Sequence, residues 1–200
     1  MEKLEAHLER VQRILRELQE LGFLKGFALI GGFAVSARAR PRATRDIDFL
    51  IVAETREETL KKLNEAAGRA GYQVERHKGN IDDPLDLVRF LDGEGNPVVD
   101  LIFPFWKWQS EIVGSATPVE IQLGKSRLKI PVVRSEDLIV LKLKASGPQD
   151  LIDAREILLA GWTISGTAGI DLSRLKSLAK RAGVERSLKK ILKETNIENG

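Results

Sequence analysis

The chain reads as an α/β protein of the α+β kind, with a mixed β-sheet flanked by helices and a helical segment after it. Short apolar runs bounded by Gly, Pro or acidic residues recur up to about residue 133 and read as strands. Segments with apolar residues three and four apart lie between them and read as helices. From Ser135 onward only the helical spacing remains. Residues 1–134 are therefore expected to form the sheet-bearing core with its N-terminal helix, and 135–200 a helical segment packed on it. At 200 residues the chain is long enough to bury a real core.

Leu4, Leu8, Val11, Leu15 and Leu18 sit at helical spacing among charges, which predicts an amphipathic helix over 3–21 that stops near Gly22. Phe27 to Ile30 is a short buried strand. Gly31-Gly32 then turns the chain into a second helix, about 33–39, which ends before Pro41. The apolar run after Asp46 predicts a central strand over 46–52, and Leu60, Leu63 and Ala67 form the inner face of a helix over 55–69. Strands follow at 72–77, 86–91 and 97–103, the last two joined by the turn Asp92-Gly93-Glu94-Gly95-Asn96. A further strand pair lies at 118–123 and 127–133. Ser135 reads as an N-cap with Glu136 and Asp137 as acidic first-turn residues. Helices are then predicted at 136–145, 149–160, 171–181 and 184–195, with Gly147-Pro148 between the first two.

Composition narrows the chemistry. With 42% hydrophobic and 30% charged residues the chain is an ordinary folded protein rather than a disordered one. It has no cysteine, which excludes disulfides, thiolate nucleophiles and cysteine zinc sites. Its two histidines, His7 and His77, lie far apart in sequence. A metal would therefore be held mainly by oxygen, which favours Mg²⁺ or Mn²⁺. The N-terminus is charged throughout, and no window approaches the roughly 20 apolar residues of a membrane span. No membrane partner is expected, and the default location is the cytoplasm. The net charge, 32 − 29 = +3, is too small to establish a nucleic-acid partner.

The sharpest signal is GGFAVSARARPRATRDIDF. Asp46 and Asp48 are two apart, so on a strand they share a face. Two carboxylates that close repel, and a divalent cation would relieve the repulsion. Asp100, in the apolar strand NPVVDLIF, is the candidate third acid, since an unpaired acid there would be costly. Without side chains, Gly31 and Gly32 would let backbone N–H groups at a helix N-terminus approach a phosphate closely.

Gly31-Gly32, thirteen intervening residues and then Asp46-Ile47-Asp48 resemble the signature of the DNA-polymerase-beta nucleotidyltransferase superfamily. The stretch Arg42 to Asp48 looks closer still to the minimal bacterial nucleotidyltransferases, including the AbiEii-like toxins of type IV toxin–antitoxin systems. The resemblance covers roughly residues 25–160. It implies a nucleotidyltransferase fold in which Asp46 and Asp48 hold two Mg²⁺ ions on a nucleoside triphosphate. Asp100 would hold the catalytic metal and help activate the acceptor hydroxyl. Gly31 and Gly32 would cradle the triphosphate, and Thr44, Arg45 and Lys142 would join the nucleotide-binding set. Asp150, in Asp150-Leu151-Ile152-Asp153, would orient the triphosphate or a basic neighbour. One departure stands out: the turn reads Gly147-Pro148-Gln149 where the toxin-like pattern prefers Arg and Lys.

The expected function is metal-dependent transfer of a nucleotidyl group to a tRNA or other RNA, a protein side chain, or a small molecule such as an aminoglycoside. A cognate antitoxin or toxin would be the protein partner. The alternatives are a non-catalytic, antitoxin-like binding protein on the same fold, and an unrelated interaction domain whose acids are strand-end charges. Three further features bear on the choice. Arg38, Arg40, Arg42 and Arg45 crowd the approach to the acids and could attract triphosphate or RNA, line a solvated loop, or pair with Asp46 and Asp48. Residues 171–195 carry eight basic and three acidic residues, a balance of +5, which suits either nucleic acid or a plain solvated face. The run Phe103 to Trp108 could stack a base or close a core edge, and His77 reads as a surface residue.

Overall fold

A computed structural model describes residues 4–41, 43–44, 46–82, 84–123, 126–163 and 169–197. The elements in order are α1 (Leu4–Glu20), β1 (Leu24–Ile30), α2 (Gly31–Arg38), β2 (Ile47–Ala53), α3 (Arg56–Arg69), β3 (Gln73–His77), β4 (Asp86–Leu91) and β5 (Pro97–Phe103). They continue as α4 (Lys107–Gly114), β6 (Thr117–Leu123), β7 (Ser126–Val132), α5 (Ser135–Ala145), α6 (Pro148–Thr163), α7 (Leu172–Ala182) and α8 (Glu185–Glu194).

The strands form one mixed sheet in the order β3-β4-β5-β2-β1-β7-β6. Pairs β2–β5 and β1–β7 are parallel and the remaining neighbours antiparallel. Side chains alternate across the sheet. Phe49 and Phe90 therefore point toward α1 and α3, where Tyr72 stacks on Phe90 at 5.4 Å and shares a 2.8 Å hydrogen bond with buried His7. The opposite face carries Asp48, Leu50 and Ile102 and looks toward α4 and α5. One apolar core runs without a break from Leu8 in α1 to Ile197 beyond α8.

The structure departs from the sequence expectation in three places. Helix α4 was not foreseen. It buries Trp108, Ile112 and Val113, and the Gln109 Oε1 accepts from the backbone N–H of Phe105 at 2.8 Å and of Trp106 at 3.1 Å. Helix α2 starts at Gly31 rather than 33, so the glycine pair is the helix's first turn and not a loop before it. Ser135 is the first residue of α5, not its cap; Arg134 holds the cap position, and its side chain makes no capping hydrogen bond.

Glu136 and Asp137 are first-turn acids as expected, and both are buried. Glu136 accepts from the Asp171 N–H at 2.8 Å, and Asp137 is held by Arg174 at 2.6 Å and by the Ser115 hydroxyl at 3.2 Å. Burial pushes the Asp137 carboxyl above its ordinary value, and the Arg174 charge offsets only part of that.

Candidate active site

Two parallel neighbours, β2 and β5, put Asp48 and Asp100 directly side by side in register. Paired residues project from the same face, about 4.8 Å apart along the hydrogen-bonding direction. Ile30 at the end of β1 is the partner of Asp48 on its other side, and Arg89 of β4 is the partner of Asp100. A row Arg89–Asp100–Asp48–Ile30 thus crosses four strands on one face. Asp46 is exposed and lies one residue before β2; the Thr44 hydroxyl donates to its carboxylate at 3.3 Å and to its backbone oxygen at 3.2 Å. Among the described residues, no three acidic or histidine side chains lie close enough together to hold a metal ion. Both oxygens of Asp100 are instead taken by Arg89, at 2.7 Å each.

Gly31 explains why a glycine must stand opposite Asp48. Its φ is +64°, a left-handed conformation that L side chains rarely adopt, and a Cβ there would run into the Asp48 carboxylate. The chain turns directly from β1 into α2 at this residue, and no side chain caps the helix. Gly32 is buried within the same first turn. The backbone N–H groups at the start of α2 therefore lie beside Asp48 at a helix end that favours negative charge.

A cleft of about 440 Å³ opens at this point. Gly31, Asp48, Lys142 and Asp150 form its polar lining together with Gln109 and Lys144, while Ile30, Leu50, Ile102, Trp106, Leu138 and Leu141 supply apolar wall. Asp46 and Asp100 lie outside that lining. Trp106 stacks on Trp108 at 6.1 Å and carries the Lys144 ammonium over its ring at 4.6 Å. Of the aromatic run, Trp108 closes the core, Trp106 faces the cleft and Phe105 is exposed.

Lys142 is buried between two acids of α6, 2.8 Å from Asp150 and 3.0 Å from Asp153. Burial alone would lower its pKa; the hydrogen bonds and charges of Asp150 and Asp153 outweigh that and hold it above its ordinary value. Asp150 also accepts from the Gly147 N–H at 3.2 Å, and Gln149 donates to Asp153 at 2.9 Å. The basic neighbour that Asp150 orients is thus Lys142. The Gly147-Pro148-Gln149 departure has a local role: Pro148 opens α6 and Gln149 helps hold Asp153.

Two of the four arginines before the acids are committed elsewhere. Arg38 donates to the backbone oxygens of Val133 at 3.0 Å and Val132 at 2.9 Å and to the Thr117 hydroxyl at 2.6 Å. Arg40 pairs with Glu156 at 2.9 Å. Arg42 and Arg45 lie outside the described residues. The basic tail is likewise reduced, since Arg174 is held by Asp137 and Arg181 by Glu111. Lys176, Lys180, Arg186, Lys189, Lys190 and Lys193 remain exposed, with no ion pair among the described residues. His77 is exposed on β3. Sequence reasoning missed Arg89, a charged residue inside an apolar strand whose partner lies eleven positions away on the next one.

The family described as nucleotidyl transferase AbiEii toxin, type IV toxin–antitoxin system, matches residues 13–182 of the chain. No curated protein matches the chain. Among solved structures, an antigenic nucleotidyltransferase-like protein from Paracoccidioides brasiliensis is 15% identical with a TM-score of 0.43, over 90% of each chain. The nucleotidyltransferase toxin MenT4 from Mycobacterium tuberculosis H37Rv is 17% identical with a TM-score of 0.43, over 86% of this chain and 69% of that one. ANT(2'')-Ia, solved in complex with adenylyl-2''-tobramycin, is 16% identical with a TM-score of 0.49, over 89% of this chain and 97% of that one.

Proposed function

Because the chain belongs to the AbiEii nucleotidyltransferase toxin family, we propose that it moves a nucleotidyl group from a nucleoside triphosphate to an RNA acceptor, using a divalent-metal site on Asp46, Asp48 and Asp100. The observation that carries this reading is the in-register pair Asp48–Asp100 on one sheet face, with Gly31 against Asp48. The donor chemistry suits Mg²⁺ or Mn²⁺, since carboxylates offer hard oxygens; Asp48 and Asp100 already stand side by side, and the exposed Asp46 would have to turn in to join them. Bound there, the metal would neutralise the triphosphate and stabilise the attacking and leaving oxygens of an in-line displacement.

The chain's own groups do the rest. The N–H groups of Gly31 and Gly32 at the start of α2 cradle the phosphates, and the Thr44 hydroxyl steadies Asp46. Lys142 turns its charge toward the same cleft, steadied by Asp150 and Asp153. The apolar wall around Trp106 excludes water from the uncharged part of the substrate. In the transfer, an acceptor hydroxyl oxygen forms a bond to the α-phosphorus while the bond to the bridging oxygen breaks. Pyrophosphate leaves with that electron pair, and Asp100 draws the hydroxyl proton.

The choice of RNA rests on where the charge lies. Residues 171–195 carry 8 − 3 = +5, and the rest of the chain 24 − 26 = −2, so the net +3 comes entirely from α7, α8 and their flanks. These helices are tied to the cleft walls: Arg181 pairs with Glu111 of α4, Lys144 donates to the Ala182 carbonyl at 3.1 Å, and Arg155 of α6 pairs with Glu194. A phosphodiester backbone on this face would lead toward the cleft. In a type IV system, a cognate antitoxin is the protein partner.

A rival reading, a non-catalytic binding protein on the same fold, draws on the engagement of Asp100 by Arg89. Incubation with each α-labelled nucleoside triphosphate, Mg²⁺ and total RNA separates the two. The enzyme labels RNA and releases pyrophosphate; triphosphate binding with no labelled acceptor favours the rival.

A further inference from the structure

Arg89 is the one cation in the row of residues that crosses the carboxylate face. We infer that Arg89 is the built-in counter-cation of this site: it holds Asp100 in place in the metal-free protein and competes with a divalent cation for it. The inference rests on the metal reading above.

The geometry is specific. Arg89 Nε and Nη2 each donate to a different oxygen of Asp100, both at 2.7 Å, which is the two-pronged fit of a guanidinium on a carboxylate. Asp100 is directly paired with Asp48 across β5 and β2, so Arg89 offsets the charge of one of two neighbouring carboxylates. The Arg89 side chain is 37% exposed and the Asp100 side chain 13%. The guanidinium can therefore swing toward solvent, while the carboxylate stays on the sheet. The field of the site reaches Arg89 as well. The hydrogen bond to Asp100, and less strongly the charges of Asp100, Glu75 and Asp46, hold its proton more firmly than usual.

A divalent ion on Asp100 must share or displace this partner, because like charges a few ångströms apart repel. Arg89 thus keeps the acids together before the metal arrives and sets how much metal is needed to load them. A cross-strand ion pair with only a structural role would stabilise β4 against β5 and leave metal affinity unchanged.

The test uses Mn²⁺ alone as the probe, followed by the paramagnetic signal of the free ion, on full-length wild type, Arg89→Met and Arg89→Lys. Arg89→Met should bind Mn²⁺ tighter by on the order of tenfold. It should melt lower than wild type without metal and regain more on adding Mn²⁺. Arg89→Lys keeps the charge but loses the two-pronged fit. It should fall between the two, and it carries the test if Arg89→Met does not fold. Adding Asp48→Asn to Arg89→Met should abolish the gain, which locates it at this site. Equal or weaker Mn²⁺ binding in the folded Arg89 variants overturns the inference and leaves the metal reading standing. No Mn²⁺ binding by any of the proteins, with or without triphosphate, removes both.

Discussion

Gly31 shows how much one residue can be asked to do. It must take φ = +64° and leave room for the Asp48 carboxylate, so a methyl group there is wrong twice. The left-handed backbone costs an L residue about 1–2 kcal/mol, and overpacking adds about 1–3 kcal/mol. Gly31→Ala should therefore lose about 2–5 kcal/mol in urea unfolding. A change under about 0.5 kcal/mol, the range of ordinary surface substitutions, would contradict the close approach. Lys142 makes a second prediction. Its folded pKa is raised above the ordinary 10.5, so its ion pairs contribute stability that is fully present below about pH 10.5 and is lost as pH rises through the folded value. Lys142→Met should be less stable than wild type at neutral pH, and the gap should narrow in melts taken at increasingly alkaline pH. A gap that stays constant would mean that the acids of α6 do not hold the charge. Gly31 and Asp48 could be picked out from sequence because glycine and a strand-borne acid each imply a local physical need. Arg89 could not, since its partner is supplied by strand pairing.

At the scale of elements, the strands around the site were legible and their neighbours were not. The short apolar runs of β4 and β5 and the turn between them predicted both strands. Nothing in the sequence specified that β5 pairs in parallel with β2, bringing Asp100 to Asp48. Helix α4 was hidden because it has only eight residues and follows an aromatic run that reads equally as a core edge. The last two helices were legible from their spacing, but the roles of their charges were not. Arg174 looked like part of a basic tail and proves to neutralise buried Asp137, thirty-seven positions away. The cations left over make a prediction for α8, where Arg186, Lys189, Lys190 and Lys193 recur at helical spacing. Lys189→Glu with Lys190→Glu should weaken RNA binding and flatten its dependence on salt, by about 0.7 per lost phosphate contact on a single strand in a plot of log affinity against log salt concentration. Triphosphate binding should be unchanged. An unaltered salt slope would return α8 to a solvated face.

For the whole molecule, the parts converge on one face of the sheet, over its central strands. The β1–α2 turn, the β2–β5 pair and the α5–α6 hairpin come from distant stretches of sequence, yet Gly31, Asp48, Lys142 and Asp150 line one cleft. Basic α7 and α8 are tied to its walls. The family match over residues 13–182 spans all of these except α8. The measurement that decides whether this assembly is a metal-dependent nucleotidyltransferase compares wild type with Asp100→Asn on two readouts. One is nucleoside triphosphate affinity, and the other is transfer of α-label to RNA in the presence of Mg²⁺. Asp100 is assigned an interaction realised chiefly in the transition state. The folded variant should therefore keep much of its triphosphate affinity and lose transfer by several orders of magnitude. Transfer by Asp100→Asn at the wild-type rate would contradict the assignment of the reaction to this pair of strands.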